Sequence, residues 1–166
     1  MTNIHTPGCR SNLSLLLLSG MILLYFSANL SAQSVPDFSG VWEQDVKKSD
    51  DFYKDFIVKS NITQTKQTIT IRTTFADKDG KEIALRENTF TLDGKETTDK
   101  EGAKKSARWS SDKKVLTTSD TKDYGGDIVG ATSTYSISAD GLVLTVKTSD
   151  IKPGGTTVTM VYNKLK

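Results

Sequence analysis

Phe38-Ser39-Gly40-Val41-Trp42 is the first apolar alternation after a very hydrophobic N-terminus, and the fold turns on how it is read. Under a period of two, Phe38, Gly40 and Trp42 share one face of a strand, with the glycine leaving room beside an inward-pointing indole. Burying Trp42 removes roughly 150 to 250 Å² of mostly apolar surface from water, more than any neighbour on so short a strand offers. The later strands therefore have something large to close around.

What precedes this stretch is a different material. In residues 1–32, Arg10 is the only charged side chain, Leu13 to Ala28 is dominated by Leu, Ile, Met and small residues, and Ser31-Ala32 offers a cleavage site before Gln33. This pattern predicts a signal peptide over 1–32 and a mature domain over 33–166, in a secreted or periplasmic protein. The competing reading is an uncleaved anchor, but the apolar run of about 16 residues is short of the roughly 20 a spanning helix needs, so cleavage is expected, with no stable membrane span after it. The single cysteine, Cys9, and the single histidine, His5, lie in the leader. The mature chain then has neither, which excludes disulfides, Cys or Cys/His zinc sites, a Cys nucleophile and any Ser-His-Asp triad. Without Arg10 there are 21 Lys and Arg against 20 Asp and Glu, interspersed. Such a balance creates no field that attracts nucleic acid or an anionic membrane.

After strand one, Phe52 and Phe56 stand four apart, the spacing of one helical face, and predict one or two helical turns. From Ser60 onward the pattern is strand, turn, strand. Ile69, Ile71, Thr73 and Phe75 alternate, and Asp77-Lys78-Asp79-Gly80 turns the chain. Ile83 and Leu85 are followed by Phe90 and Leu92 on the opposite parity, which predicts a bulge near Arg86 to Thr89. Asp93-Gly94 reads as a two-residue hairpin, Asp120 to Gly130 as a longer loop, and Ala139-Asp140-Gly141 as a hairpin turn. Roughly ten short strands joined mostly by tight turns predict an antiparallel sandwich or barrel; pairing the first strand with the last would remove both exposed edges.

Phe38-Ser39-Gly40-Val41-Trp42, Leu92-Asp93-Gly94-Lys95, Arg108-Trp109 and Ile137-Ser138-Ala139-Asp140-Gly141 together resemble the small lipocalin-like proteins exported by bacteria, within the calycin superfamily. The likeness covers most of residues 38 to 164. It implies an all-β, up-and-down lipocalin-like barrel of about ten antiparallel strands with a short helical segment after strand one. Gly40 and Trp42 would be its structural anchors. The chain departs from the pattern in having no terminal arginine to cover Trp42, no disulfide and no C-terminal helix.

No catalytic or metal-ligating set stands out. Asp77-Lys78-Asp79-Gly80 fails an EF-hand register, because Phe75 and Arg86 would fall where carboxylates are needed. Asp123 and Asp127 around Gly125-Gly126 are too few for a cation site, and no carboxylate spacing selects a glycosidase pair. A non-enzymatic role without cofactor or metal is expected. Phe52, Tyr53 and Phe56 are placed at the mouth, over a small hydrophobic ligand held against Ile71, Leu85, Trp109 and Tyr135, with Arg108 or Tyr135 orienting it. The alternative is a cell-envelope structural or interaction domain whose core is filled by the same residues. The discriminating quantity is a connected void of roughly 300 Å³ or more.

Overall fold

The computed structural model describes residues 35–152 and 154–166; the segment expected to be a leader, residues 1–32 with Cys9 and His5, lies outside them. Ten strands follow in chain order: β1 (Gly40–Gln44), β2 (Ile57–Gln64), β3 (Thr68–Ala76), β4 (Glu82–Thr91), β5 (Thr97–Thr98), β6 (Lys104–Trp109), β7 (Val115–Tyr124), β8 (Asp127–Ile137), β9 (Val143–Asp150) and β10 (Thr157–Lys164). All pairings are antiparallel, in one sheet of order β4-β3-β2-β1-β10-β9-β8-β7-β6-β5. The sheet is a nearly closed lipocalin-like barrel, as the alternating pattern requires. Among the described residues no helix is long and apolar enough to cross a membrane.

β1 and β10 do pair, with Trp42 opposite Lys164 and Gln44 opposite Tyr162. That contact does not remove both edges, however. The unpaired edges lie in mid-chain, at β4 and β5, where the barrel keeps a seam. Asp93-Gly94 is consequently not a hairpin. Gly94 has the expected positive φ of 76° and Asp93 accepts the Lys95 N–H at 3.0 Å, but the strands on either side do not pair. The chain leaves the sheet here instead, tied by the Leu92 N–H to the Gln67 carbonyl and by Arg108 Nε to the Gly94 carbonyl at 3.2 Å.

Three other expectations are corrected. The helical turns expected around Phe52 and Phe56 are replaced by a single 3-10 turn, Asp51–Tyr53, which buries no residue. With so little apolar surface to dock, an α-helix has nothing to pay for its nucleation. The stretch 120–130 is not a loop, because β7 and β8 pair through Tyr124 opposite Asp127, leaving only Gly125-Gly126 as the turn. No bulge occurs at 86–89 either; β4 pairs regularly there, and its irregularity falls between Phe75 and Ala76 on β3.

The core sits toward one end of the barrel. Phe38, Trp42, Ile69, Ala107, Leu116 and Leu144 have no exposed surface. Phe38 stacks on Trp109, with centroids 5.8 Å apart and planes at 10°, and meets Tyr135 edge-on. Trp42 Nε1 donates to the Phe38 carbonyl at 2.9 Å, so the buried indole N–H is satisfied. Gln64 secures the lead-in, accepting from the Phe38 N–H at 3.1 Å and donating to the Pro36 carbonyl at 2.9 Å.

Candidate functional site

The opposite end of the barrel is not filled. A partly open cavity of about 590 Å³ occupies it, well above the void that separates a ligand site from a solid core. Strand alternation decides its wall. Even-numbered residues of β2, β4, β7, β9 and β10 and odd-numbered residues of β3 and β8 face inward, which sets Ser60 beside Thr73 and Arg86, and Thr118 beside Ser133 and Thr148.

The apolar part of the lining includes Ile71, Phe75, Phe90, Tyr135, Val146, Met160 and Tyr162. Its polar part is mostly hydroxyl. Ser60 Oγ and Thr73 Oγ1 lie 2.9 Å apart, and Ser133 Oγ and Thr148 Oγ1 2.8 Å apart, so each pair satisfies itself across adjacent strands. The charged lining residues are two cations, Arg86 and Lys122, and two carboxylates, Asp120 and Asp150; Arg86 and Asp150 are exposed and the other two half-buried. Arg86 also covers the Phe75 ring, its Cζ 5.5 Å from the centroid. Burial pushes the Tyr135 phenol up, against the opposing effect of hydrogen bonds with Thr118 and Ser133. Burial pushes the Tyr162 phenol up too, with Tyr135 and Tyr53 adding to the shift. Both rings therefore stay neutral and can donate.

Of the residues singled out from sequence, Phe52, Tyr53, Ile71 and Tyr135 line this cavity. Phe52 meets Tyr53 edge-on at 4.7 Å, and Tyr53 meets Phe75 at 5.3 Å, forming an aromatic run from the 3-10 turn to the wall. The other four are placed elsewhere. Phe56 packs half-buried against the core, and Trp109 stacks on Phe38 at the other end, where it borders a separate open groove with Gln64 and Leu92. Leu85 is 43% exposed on the outer face, because β4 runs without the expected bulge and presents Arg86, Asn88 and Phe90 inward. Arg108, on the outward parity of β6, is exposed and engaged with the Gly94 carbonyl, and it does not line the cavity.

Sequence reasoning missed the cover over Trp42. Lys164 Nζ lies 5.1 Å from the centre of that ring, and Gly40 makes the space, since a Cβ there would stand 2.7 Å from Lys164 Cε. The signal was a cation on the inward parity at the end of the last strand, two residues after Tyr162. Arg86 and Asn88 were missed for the opposite reason: Ile83 and Leu85 drew attention to the wrong face.

No family model matches the chain, and no curated protein matches it by sequence. Solved structures do. The REP1-NXSQ fatty acid transporter superposes with a TM-score of 0.56 at 11% identity, covering 78% of this chain and 97% of that one. Secretory abundant heat soluble protein 4 from Ramazzottius varieornatus gives 0.54 at 15% identity, covering 81% and 99%. A second heat soluble protein from that organism gives 0.52 at 12%, covering 80% and 98%. At these identities the likeness is one of fold, an antiparallel lipocalin-like β-barrel.

Proposed function

We propose that the protein is an exported, non-enzymatic binding protein, secreted or periplasmic, for a small apolar or amphipathic molecule. The observation that carries this reading is the cavity of about 590 Å³, lined by aromatic, aliphatic and hydroxyl groups. Desolvation of the ligand against Ile71, Phe75, Phe90 and Met160 supplies the affinity, and the hydroxyls supply orientation. The fold likeness to a protein named as a fatty acid transporter supports the same class of ligand, and the leader supports export.

A second reading, an envelope interaction domain, draws on the unpaired β4 edge and on Ile83 and Leu85, which stand outward and 51% and 43% exposed. An unfilled interior favours the first. The test is titration of the purified protein with N-phenyl-1-naphthylamine, an uncharged apolar fluorophore. Saturable enhancement with a Kd on the order of micromolar, reversed by dodecan-1-ol, is expected. Fluorescence that stays linear up to tens of micromolar protein would overturn the ligand reading.

A further inference from the structure

Gln44 is 8% exposed and points inward from β1, and neither its Nε2 nor its Oε1 has a hydrogen-bond partner. An amide buried with both ends unpaired costs stability that an apolar side chain of similar volume would not. Such a group calls for a partner that arrives from elsewhere.

Its surroundings indicate where. Directly across the ladder stands Tyr162, whose O–H donates only to the Met160 thioether at 3.3 Å, a weak acceptor. Tyr162, Met160 and Tyr53 line the cavity, and Gln44 lies behind that wall, next to Tyr162. Tyr53 belongs to a 3-10 turn with no side-chain cap and no buried residue, so this part of the wall is lightly held. A head group passing between Tyr53 and Tyr162 would find a donor and an acceptor on Gln44 and a second donor on the phenol.

The same corner discriminates by charge. The cavity lining carries equal numbers of each sign, Arg86 and Lys122 with Asp120 and Asp150, and Lys105, inward on β6, is paired with Asp99 at 3.1 Å. A carboxylate brought to Gln44 can only accept, so it would leave Oε1 unpaired and set a negative charge beside it, whereas an alcohol or amide can donate to Oε1 and accept from Nε2.

We propose that the ligand's polar pole is uncharged, a hydroxyl or carboxamide, and that Gln44 hydrogen-bonds it; this rests on the cavity being a ligand site. The experiment displaces N-phenyl-1-naphthylamine from the whole protein at pH 8 with dodecan-1-ol, dodecanamide and dodecanoate, which share one chain length. The alcohol and amide are expected to displace the probe at roughly tenfold lower concentration than the carboxylate. Gln44→Met should erase that advantage and raise Tm. Equal or tighter binding of dodecanoate overturns the proposal without needing any variant, and an undiminished preference in Gln44→Met overturns the role of Gln44. If the probe itself does not bind, the ligand-site reading has failed rather than the head-group assignment.

Discussion

Replacing Gly40 with alanine tests how the barrel is anchored. Gly40 has a φ of +139°, which L side chains rarely adopt, and an added Cβ would lie 2.7 Å from Lys164 Cε and 3.4 Å from Nζ. The backbone part of the cost is about 1 to 3 kcal/mol. The steric part is bounded, because Lys164 can swing away, and it forfeits no more than its interaction with Trp42, about 0.5 to 2 kcal/mol. A total of about 1.5 to 5 kcal/mol corresponds, for a domain of this size, to a Tm lowered by roughly 5 to 25 °C. Calorimetry on Gly40→Ala, Lys164→Ala and the double variant separates the parts. With Lys164 already truncated, the alanine should cost about 1 kcal/mol less, so the two changes are not additive. Strict additivity, or a Gly40→Ala Tm within about 2 °C of the parent, would show that the glycine is not making room for the lysine.

Three further outcomes follow from the same geometry. Leu85→Lys, on the outer face, should change stability by less than about 0.5 kcal/mol, while Ile71→Lys, facing the cavity, should cost more than about 3 kcal/mol in urea unfolding; the reverse order would mean that β4 has the other register. Trp42→Phe leaves the Phe38 carbonyl without its indole donor and opens a gap in the core, a loss of about 2 to 4 kcal/mol, read from guanidinium unfolding followed by Trp109 emission. Tm should be level from about pH 5 to 8, because no histidine stands among the described residues. Hydrogen bonds to Ser39 hold the Asp37 carboxyl low, and backbone or side-chain donors do the same for Asp99 and Asp112. Their stabilisation is complete above the unfolded carboxylate pKa and lost as pH falls through the depressed one, so Tm should drop below about pH 4. For Tyr135 and Tyr162 the sign reverses: the folded phenols ionise later than the unfolded ones, so stability should decline above about pH 10.

Much of the fold was legible because half-buried strands announce themselves by parity. Phe38, Gly40 and Trp42 alternate cleanly, and so do Ile69, Ile71, Thr73 and Phe75; both sets point where the period of two sends them. Parity failed on β4, where apolar residues occur on both faces. An edge strand beside a seam leaves Ile83 and Leu85 uncovered, and no local pattern marks an apolar residue that will find nothing to pack against. The seam itself was illegible for a related reason. Asp93-Gly94 makes the turn its residue types specify, but pairing is decided by whether the barrel's circumference closes, a property of the whole sheet. The cavity half of the site was legible through Ile71, Tyr135 and the Phe52-Tyr53 pair. Gln44 was not, since an amide at the end of a strand looks like a solvated one until its partners have been counted.

The ring is sealed by its first and last strands, so its terminal segments meet at the interior of the sheet and its loose edges fall in the middle of the polypeptide. During synthesis β1 has only β2 beside it, and Trp42 has no lid, until residues as late as Lys164 have emerged. Removing the final strand should therefore deprive the first of half its hydrogen-bonding neighbours. Relocating the ends to the Asp93-Gly94 connection, while joining the natural ones with a flexible tether, should break no rung of the ladder.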